Sequence, residues 1–219
     1  MTSSGTRFDL VVFDWDGTLV DSLANIVGAM QATIGELALP ARNDAEVRAV
    51  VGLGFGEVLN QLFPDLSTRD HERVRNAYRE HFLGAGHTAQ LFPGVRETLT
   101  SLGAAGLTLG VATGKARVGL MRELEETGLA GMMAATRCAD QCRSKPAPDM
   151  LLQLMDELFH EPVRTLMVGD SEYDLLMARA AGTASVGVAG GAHARDRLVA
   201  LEPLAVIDSV VELVPFLRA

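Results

Sequence analysis

Lysine is nearly missing from this 219-residue chain: Lys115 and Lys145 are its only two, against 17 arginines. Abundant Ala, Gly and Arg accord with a genome-wide compositional bias, which makes the two retained lysines positions to follow. Cysteine is equally scarce. Cys138 and Cys142 cannot frame a disulfide scaffold for a chain of this size. Their four-residue spacing, without paired histidines nearby, does not make a zinc site either. Two free thiols suit a reducing cytosol, so a cytoplasmic location is the expectation. A basic surplus is absent: 28 acids face 19 bases, a net charge of −9. Such a chain is a poor partner for nucleic acid or an anionic membrane. The longest uncharged stretch, Thr98 to Gly114, carries four glycines and reads as helix end, loop and strand rather than a membrane span. The start, MTSSGTRFDL, lacks the basic region and apolar run of a signal peptide. No internal repeat or low-complexity tract is visible, and a hydrophobic content of 48% excludes intrinsic disorder. A chain of this length buries roughly 70% of its unfolded surface, enough for a core without staples. It fits one large domain, or one domain plus a small one.

What is present is a series of short apolar blocks. Phe8–Asp14 (FDLVVFD) is rich in Val and Phe, ends on a carboxylate, and reads as a buried strand. Leu107–Thr113, Thr165–Asp170, Ala184–Ala189 and Leu204–Asp208 repeat the pattern. Helical segments lie between them: Lys115–Gly128 and Glu172–Ala181 each close on a glycine, and Pro148–Phe159 opens after a proline pair. This alternation from residue 91 onward predicts an α/β fold, a Rossmann-like parallel sheet covered on both faces. One region breaks it. Between Ser22 and about Ala89 only helical patterns occur, at Leu23–Leu37, Asp44–Val51, Phe55–Phe63 and Thr68–Leu83. A helical domain over residues 21–90 therefore interrupts a core made of 1–20 and 91–219. Pro93 and Gly94 punctuate the return.

Ligands of parallel α/β sheets bind beyond the carboxyl ends of the strands. The first strand is followed there by Asp14, Trp15, Asp16, Gly17 and Thr18. The next ends at Thr113, followed by Gly114 and Lys115; Lys145 precedes Pro146; and the Thr165 strand leads to Gly169, Asp170, Ser171 and Asp174. Converging carboxylates repel one another and need a cation. All-oxygen ligands favour a hard ion such as Mg²⁺, which takes one or two carboxylates plus waters and phosphate oxygens. A lysine and a hydroxyl beside that ion suit a phosphoryl group, whose peripheral oxygens need charge and donors. One carboxylate can serve as nucleophile, and a second acid two residues away can protonate the leaving group and then activate water.

These residues, in this order, resemble the haloacid dehalogenase superfamily. Asp14-Trp15-Asp16-Gly17-Thr18-Leu19-Val20-Asp21-Ser22 is similar to its first motif, Thr113 to its second, Lys145 to its third, and Gly169-Asp170-Ser171 with Asp174 to its fourth. The resemblance covers essentially the whole chain, and the insert resembles a C1-type cap. The phosphoglycolate phosphatase-like hydrolases are the nearest subgroup. The resemblance implies Asp14 as nucleophile and Mg²⁺ ligand, and Asp16 as general acid and base with its backbone carbonyl on the metal. It implies that Thr113 holds the phosphoryl group and Lys145 neutralises charge. Asp170 would ligate Mg²⁺, and Asp174 would support that site directly or through water. Two departures stand out. Trp15 occupies a position often filled by Leu or Met and should point into packing. Gly114 replaces a frequent Asn, which removes an amide near the substrate.

The implied activity is a Mg²⁺-dependent phosphomonoester hydrolase working through an aspartyl-phosphate on a small phosphorylated metabolite, with 2-phosphoglycolate the first candidate. A phosphomutase of the same superfamily is the alternative. A phospho-accepting signalling or binding protein is the reading from another class; Asp16 and the insert argue against it. Asp16 also speaks against dehalogenation, and an insert without lysine against Schiff-base phosphonate chemistry. Gly114, Lys115 and, from the insert, Arg48 are candidate substrate contacts. Gly52-Leu53-Gly54-Phe55-Gly56 lacks the third glycine and the preceding strand of a phosphate loop, and is expected to open a helix over the site. Gly17–Ser22 and Thr88–Gly94 are the hinge candidates for closure of the insert. Nothing in the sequence fixes an oligomeric state.

Overall fold

The computed structural model of the protein describes residues 7–84 and 88–218. Residues 1–6, which bear on the expectation of no signal peptide, lie outside the described residues. Six strands form one parallel sheet in the order β3-β2-β1-β4-β5-β6. They are β1 (Leu10–Phe13), β2 (Thr108–Thr113), β3 (Ala135–Cys138), β4 (Thr165–Gly169), β5 (Ala184–Val188) and β6 (Ala205–Ile207). The central strand β1 pairs in register with β2 on one side (Phe13 with Val111) and β4 on the other (Phe13 with Val168).

Helices cover both faces, as the apolar runs require. Alternate residues of a strand point to opposite faces, and β1 divides accordingly. Val11 and Phe13 join one apolar cluster with Leu99, Leu102, Leu120 and Leu124. These come from α5 (Val95–Ala104) and α6 (Arg117–Glu126). Leu10 and Val12 join another with Met150, Leu154, Met177 and Ala178, from α7 (Asp149–Leu158) and α8 (Glu172–Ala181). Trp15 is fully buried in the first cluster, as its position in the sequence predicts.

Four helices stand between β1 and α5: α1 (Leu23–Glu36), α2 (Asp44–Arg48), α3 (Phe55–Leu62) and α4 (Thr68–Gly84). They enclose an apolar cluster of their own, built on Val27, Met30, Ile34, Leu59, Leu62 and Val74. Asn43 caps α2 reciprocally with Glu46, which fixes its start. The chain enters and leaves this unit side by side: Asp21 N–H donates to the Gln90 carbonyl (2.9 Å) and Phe92 N–H to Leu19 (3.0 Å).

Four elements differ from the sequence pattern. Strand β3 (ATRC) is an edge strand paired only with β2; it is too short and polar to read as a buried block. The helices α9 (Arg195–Val199) and α10 (Leu213–Arg218) are shorter than two turns, too brief for a periodic signal. Helix α2 stops at Arg48 rather than Val51, where a turn leads into Gly52 at φ +100°. No helix among the described residues is long and apolar enough to cross a membrane.

Leu59 is fully buried in the cluster of the insert. Leu59→Ala should therefore remove about 2–5 kcal/mol of local stability. Hydrogen exchange should accelerate in α1, α3 and α4 while the amides of β1 and β4 keep their protection.

Candidate active site

The sheet order reverses direction at β1, since β2 and β3 lie on one side and β4 to β6 on the other. The crevice at such a switch point is where parallel sheets place ligands. Asp14 extends β1 by one residue, its N–H donating to Val168 (2.9 Å). The chain then turns tightly: Leu19 and Val20 N–H both return to the Trp15 carbonyl, and Gly17 sits at φ +80°. A side chain at Gly17 would be strained by that φ and would collide with the Asp170 carboxylate. The DG pair thus lets the turn lie directly against the carboxylate that follows β4.

Four side chains form the buried centre. Lys145 Nζ lies 2.7 Å from Asp14 Oδ1 and 2.6 Å from Asp174 Oδ1, with all three side chains essentially inaccessible. Asp174 Oδ2 accepts the N–H (3.1 Å) and hydroxyl (2.7 Å) of Ser171, capping α8. Asp170 is held by the Thr18 hydroxyl (2.8 Å) on one oxygen and by Ala192 N–H (2.6 Å) on the other. Asp14 Oδ2 is left buried with no partner among the described residues.

The charges of this centre do not balance. Burial, then the neighbouring Asp174 and Asp170, push Asp14 well above the usual carboxylate range, against the pull of Lys145. Burial and Asp174 raise Asp170 from 3.8 to about 7. Burial alone would lower the Lys145 pKa, but Asp14 and Asp174 outweigh it and hold the ammonium firmly protonated. Three carboxylates facing one ammonium attract either protons or a further cation. Asp14, Asp170 and Asp174 offer oxygens within 4.8 Å of one another. Three buried carboxylates make an all-oxygen donor set, which fits a hard divalent ion.

Asp16 stands at the mouth of this centre, slightly exposed. Its Oδ1 accepts from the Ser22 hydroxyl (2.7 Å) and faces Lys115 Nζ (3.2 Å). Oδ2 carries no hydrogen bond or ion pair among the described residues. Thr113 is buried at the end of β2, and its hydroxyl oxygen accepts Lys115 N–H (3.2 Å). Lys115 does not extend into solvent; it is ion-paired to Asp16 and, at 3.1 Å, to Glu123.

The insert sits down on this edge. A Cβ at Gly114 would lie 2.6 Å from the Gly52 carbonyl oxygen and closer still to that of Leu53. Glycine at this position is thus what lets the Gly52–Leu53 backbone approach, a physical reason for the departure from Asn. Gly54 N–H donates to Ser144 Oγ (2.7 Å), beside Lys145, and Gly54 precedes α3. The glycine-rich segment thus opens a helix over the site, as its sequence predicts. Tyr173 Oη (2.9 Å) and His193 Nε2 (3.0 Å) both meet the Ala49 carbonyl, and Leu23, Val51 and Ala192 form a small apolar seam. Arg48 ends α2 exposed to solvent, and its side chain makes no hydrogen bond or ion pair among the described residues. The structure does not bring it to the carboxylates. A groove of about 610 Å³ runs along the insert beside Glu36, Arg69 and Glu80 and contains none of the site residues; Asp14, Lys145, Asp170 and Asp174 are themselves buried.

Several contributors escape the sequence reading. Tyr173, His193 and Ala192 act through contacts between segments well apart in the chain, for which it carries no local signal. Glu123 does carry one. It stands on the apolar stripe of α6 with Leu120 and Leu124 and is buried. A glutamate at core spacing needs a partner.

Comparison with known proteins agrees with this geometry. The family model described as haloacid dehalogenase-like hydrolase matches residues 11–188. Probable phosphatase IndB of Dickeya dadantii (strain 3937) is 37% identical, over 94% of this chain and 91% of that protein. A phosphoglycolate phosphatase of Vibrio vulnificus (strain CMCP6) is 33% identical over 93% of each. The crystal structure of a hydrolase from Pseudomonas syringae shares the fold, with a TM-score of 0.87 at 23% identity over 94% of this chain and 96% of that one. With its motif residues gathered at one sheet edge and its relatives aligned nearly end to end, this chain belongs to the haloacid dehalogenase-like hydrolase family.

Proposed function

We propose that the protein is a Mg²⁺-dependent phosphomonoester hydrolase of small phosphorylated metabolites, working through a phosphoryl group carried on Asp14. The observation that carries this reading is Asp14 itself: a buried carboxylate with one oxygen on Lys145 and the other without a partner. The unpartnered Oδ2 attacks phosphorus, and the bond from phosphorus to the leaving oxygen breaks. Asp16, whose Oδ2 is free to carry a proton, delivers it to the departing alkoxide. The resulting Asp16 carboxylate then takes a proton from water, whose oxygen attacks phosphorus. The bond to Asp14 breaks, inorganic phosphate leaves, and both aspartates return to their starting states. Lys145 compensates the charge on Asp14 and the transferred group, and the Thr113 hydroxyl donates to a phosphoryl oxygen. Asp14, Asp170 and the Asp16 backbone carbonyl would hold Mg²⁺, with Asp174 supporting the site. The ion would supply positive charge to the phosphoryl oxygens.

Residues 21–90 form the cap in this reading. Closure over the site excludes water, and the paired segments around residues 19–21 and 90–92 are its hinges. Gly114 acts as the seat of the Gly52–Leu53 backbone, which limits the space for a leaving group. The relatives named phosphoglycolate phosphatase support 2-phosphoglycolate as the first substrate to try.

Phosphate release from 2-phosphoglycolate, hexose phosphates, nucleotides and pyrophosphate, with and without Mg²⁺, tests the activity. Asp14→Asn should abolish turnover, and Asp16→Asn should lower kcat by about 10²–10⁴-fold on alkyl phosphates. Folded wild-type protein that releases no phosphate from any of them would sink the proposal.

The same charge imbalance predicts a pH dependence of stability. A buried acid raised to about 7 holds its proton in the fold where the unfolded chain, near 3.8, has lost it. Stability of the metal-free protein therefore falls as pH rises through that window. A bound cation offsets the ionised carboxylates. The rise in Tm on adding Mg²⁺ should accordingly be larger at pH 8 than at pH 5, as thermal unfolding at the two pH values will read.

A further inference from the structure

The only tryptophan of the chain lies between the two aspartates of the first motif. Its indole Nε1–H donates to Glu123 Oε2 at 2.7 Å. The other oxygen of Glu123 faces Lys115 Nζ at 3.1 Å, and the same ammonium reaches Asp16 Oδ1 at 3.2 Å. Trp15 and Asp16 are neighbours in sequence, so these contacts close a ring: indole, glutamate, ammonium, aspartate, backbone. Glu123 is 3% exposed, and a buried carboxylate on an apolar helix face is costly unless fully partnered. Here both oxygens are partnered, with Arg122 reaching Oε1 at 3.4 Å. From the insert, the Phe82 ring lies 5.0 Å from Lys115 Nζ and covers it. Burial alone would lower the Lys115 pKa, but Asp16 and Glu123 raise it, so the ammonium stays charged.

We infer that Glu123 is a positioning residue for Asp16, acting through Lys115 and Trp15, and that Lys115 serves this chain of contacts rather than the substrate. The inference rests on the acid–base role proposed for Asp16. Lys115 and Ser22 together occupy Oδ1, which leaves Oδ2 as the oxygen that exchanges the proton. The indole bond anchors the backbone at Trp15, so Asp16 is fixed at both its side chain and its preceding residue. Trp15 in place of the more usual aliphatic residue has a use on this account: an aliphatic side chain could fill the core but could not hold Glu123.

The test separates positioning of an acid from support of the fold. An alkyl phosphomonoester needs a proton on its leaving oxygen; 4-nitrophenyl phosphate releases a stable phenolate and does not. Glu123→Gln and Lys115→Met should lower kcat/KM on the fastest alkyl substrate by about 10–100-fold, the scale of a misplaced catalytic group; kcat/KM reads the steps up to phosphoryl transfer onto Asp14 and so leaves out the later base step of Asp16, which both substrates share. On 4-nitrophenyl phosphate the loss should stay below about 3-fold, since general-acid assistance is the contribution removed. Equal losses on both substrates would overturn the inference and leave a structural role.

A second readout is independent of activity. The protein has one indole N–H, hence one resonance in a ¹H–¹⁵N spectrum, and Glu123→Gln should move it upfield as its charged acceptor is lost. An unmoved resonance in a folded variant would also overturn the inference. If wild-type protein hydrolyses neither substrate, the hydrolase reading fails and the acid-positioning role with it. The indole resonance would then still report whether the Trp15–Glu123 contact exists.

Discussion

A single buried ammonium organises the carboxyl edge of this sheet. Lys145 lies between Asp14, which extends β1, and Asp174, in the first turn of α8. Two carboxylates this deep repel each other and resist ionisation; one shared cation makes their company tolerable. Asp174 also caps α8, so the charge pairing and the start of a helix depend on one side chain. The arrangement stops short of neutrality because Asp170 adds a third carboxylate. That deficit is what makes the edge receptive to a divalent ion and, beyond it, to a phosphate.

The surrounding structure keeps these groups in place by close backbone approach. Gly17 admits the turn after β1 against Asp170, and Gly114 admits the insert against the end of β2. Each contact occupies space that any side chain would need. The insert has its own apolar core and meets the sheet edge mainly through polar contacts and one small seam. A unit with its own core and a modest, polar interface can move as a body, and the proposed closure of the cap rests on that property.

Much of the core was legible because its physics is local. Alternating strands and helices follow from apolar blocks of fixed length, and β1, β2, β4, β5 and β6 all fall within such blocks. The edge strand β3 was not, since a strand with one neighbour and a charged residue lacks the apolar run that marks a central one. Asp14, Asp16, Thr113 and Asp170 stand at or just beyond strand ends, Lys145 precedes α7 and Asp174 lies in α8; their order along the chain, with the resemblance it carries, suggests them. Arg48 shows the limit of that reasoning: proximity in sequence to the glycine-rich segment says nothing of where its side chain, exposed at the end of α2, is directed.

Composition over a few residues and spacing along the chain fix the alternation of elements, the helical run after β1 and the order in which the acids and lysines follow the strands. Which of those charges pair is settled by the fold. It gave Lys145 to Asp14 and Asp174, gave Lys115 to Asp16 and Glu123, and left one oxygen of Asp14 without a partner. The contacts of Lys145 with Asp14 and of Trp15 with Glu123 each span more than a hundred residues of chain. They depend on distance and burial in the folded state, where a charge's strength is set by how much water remains around it.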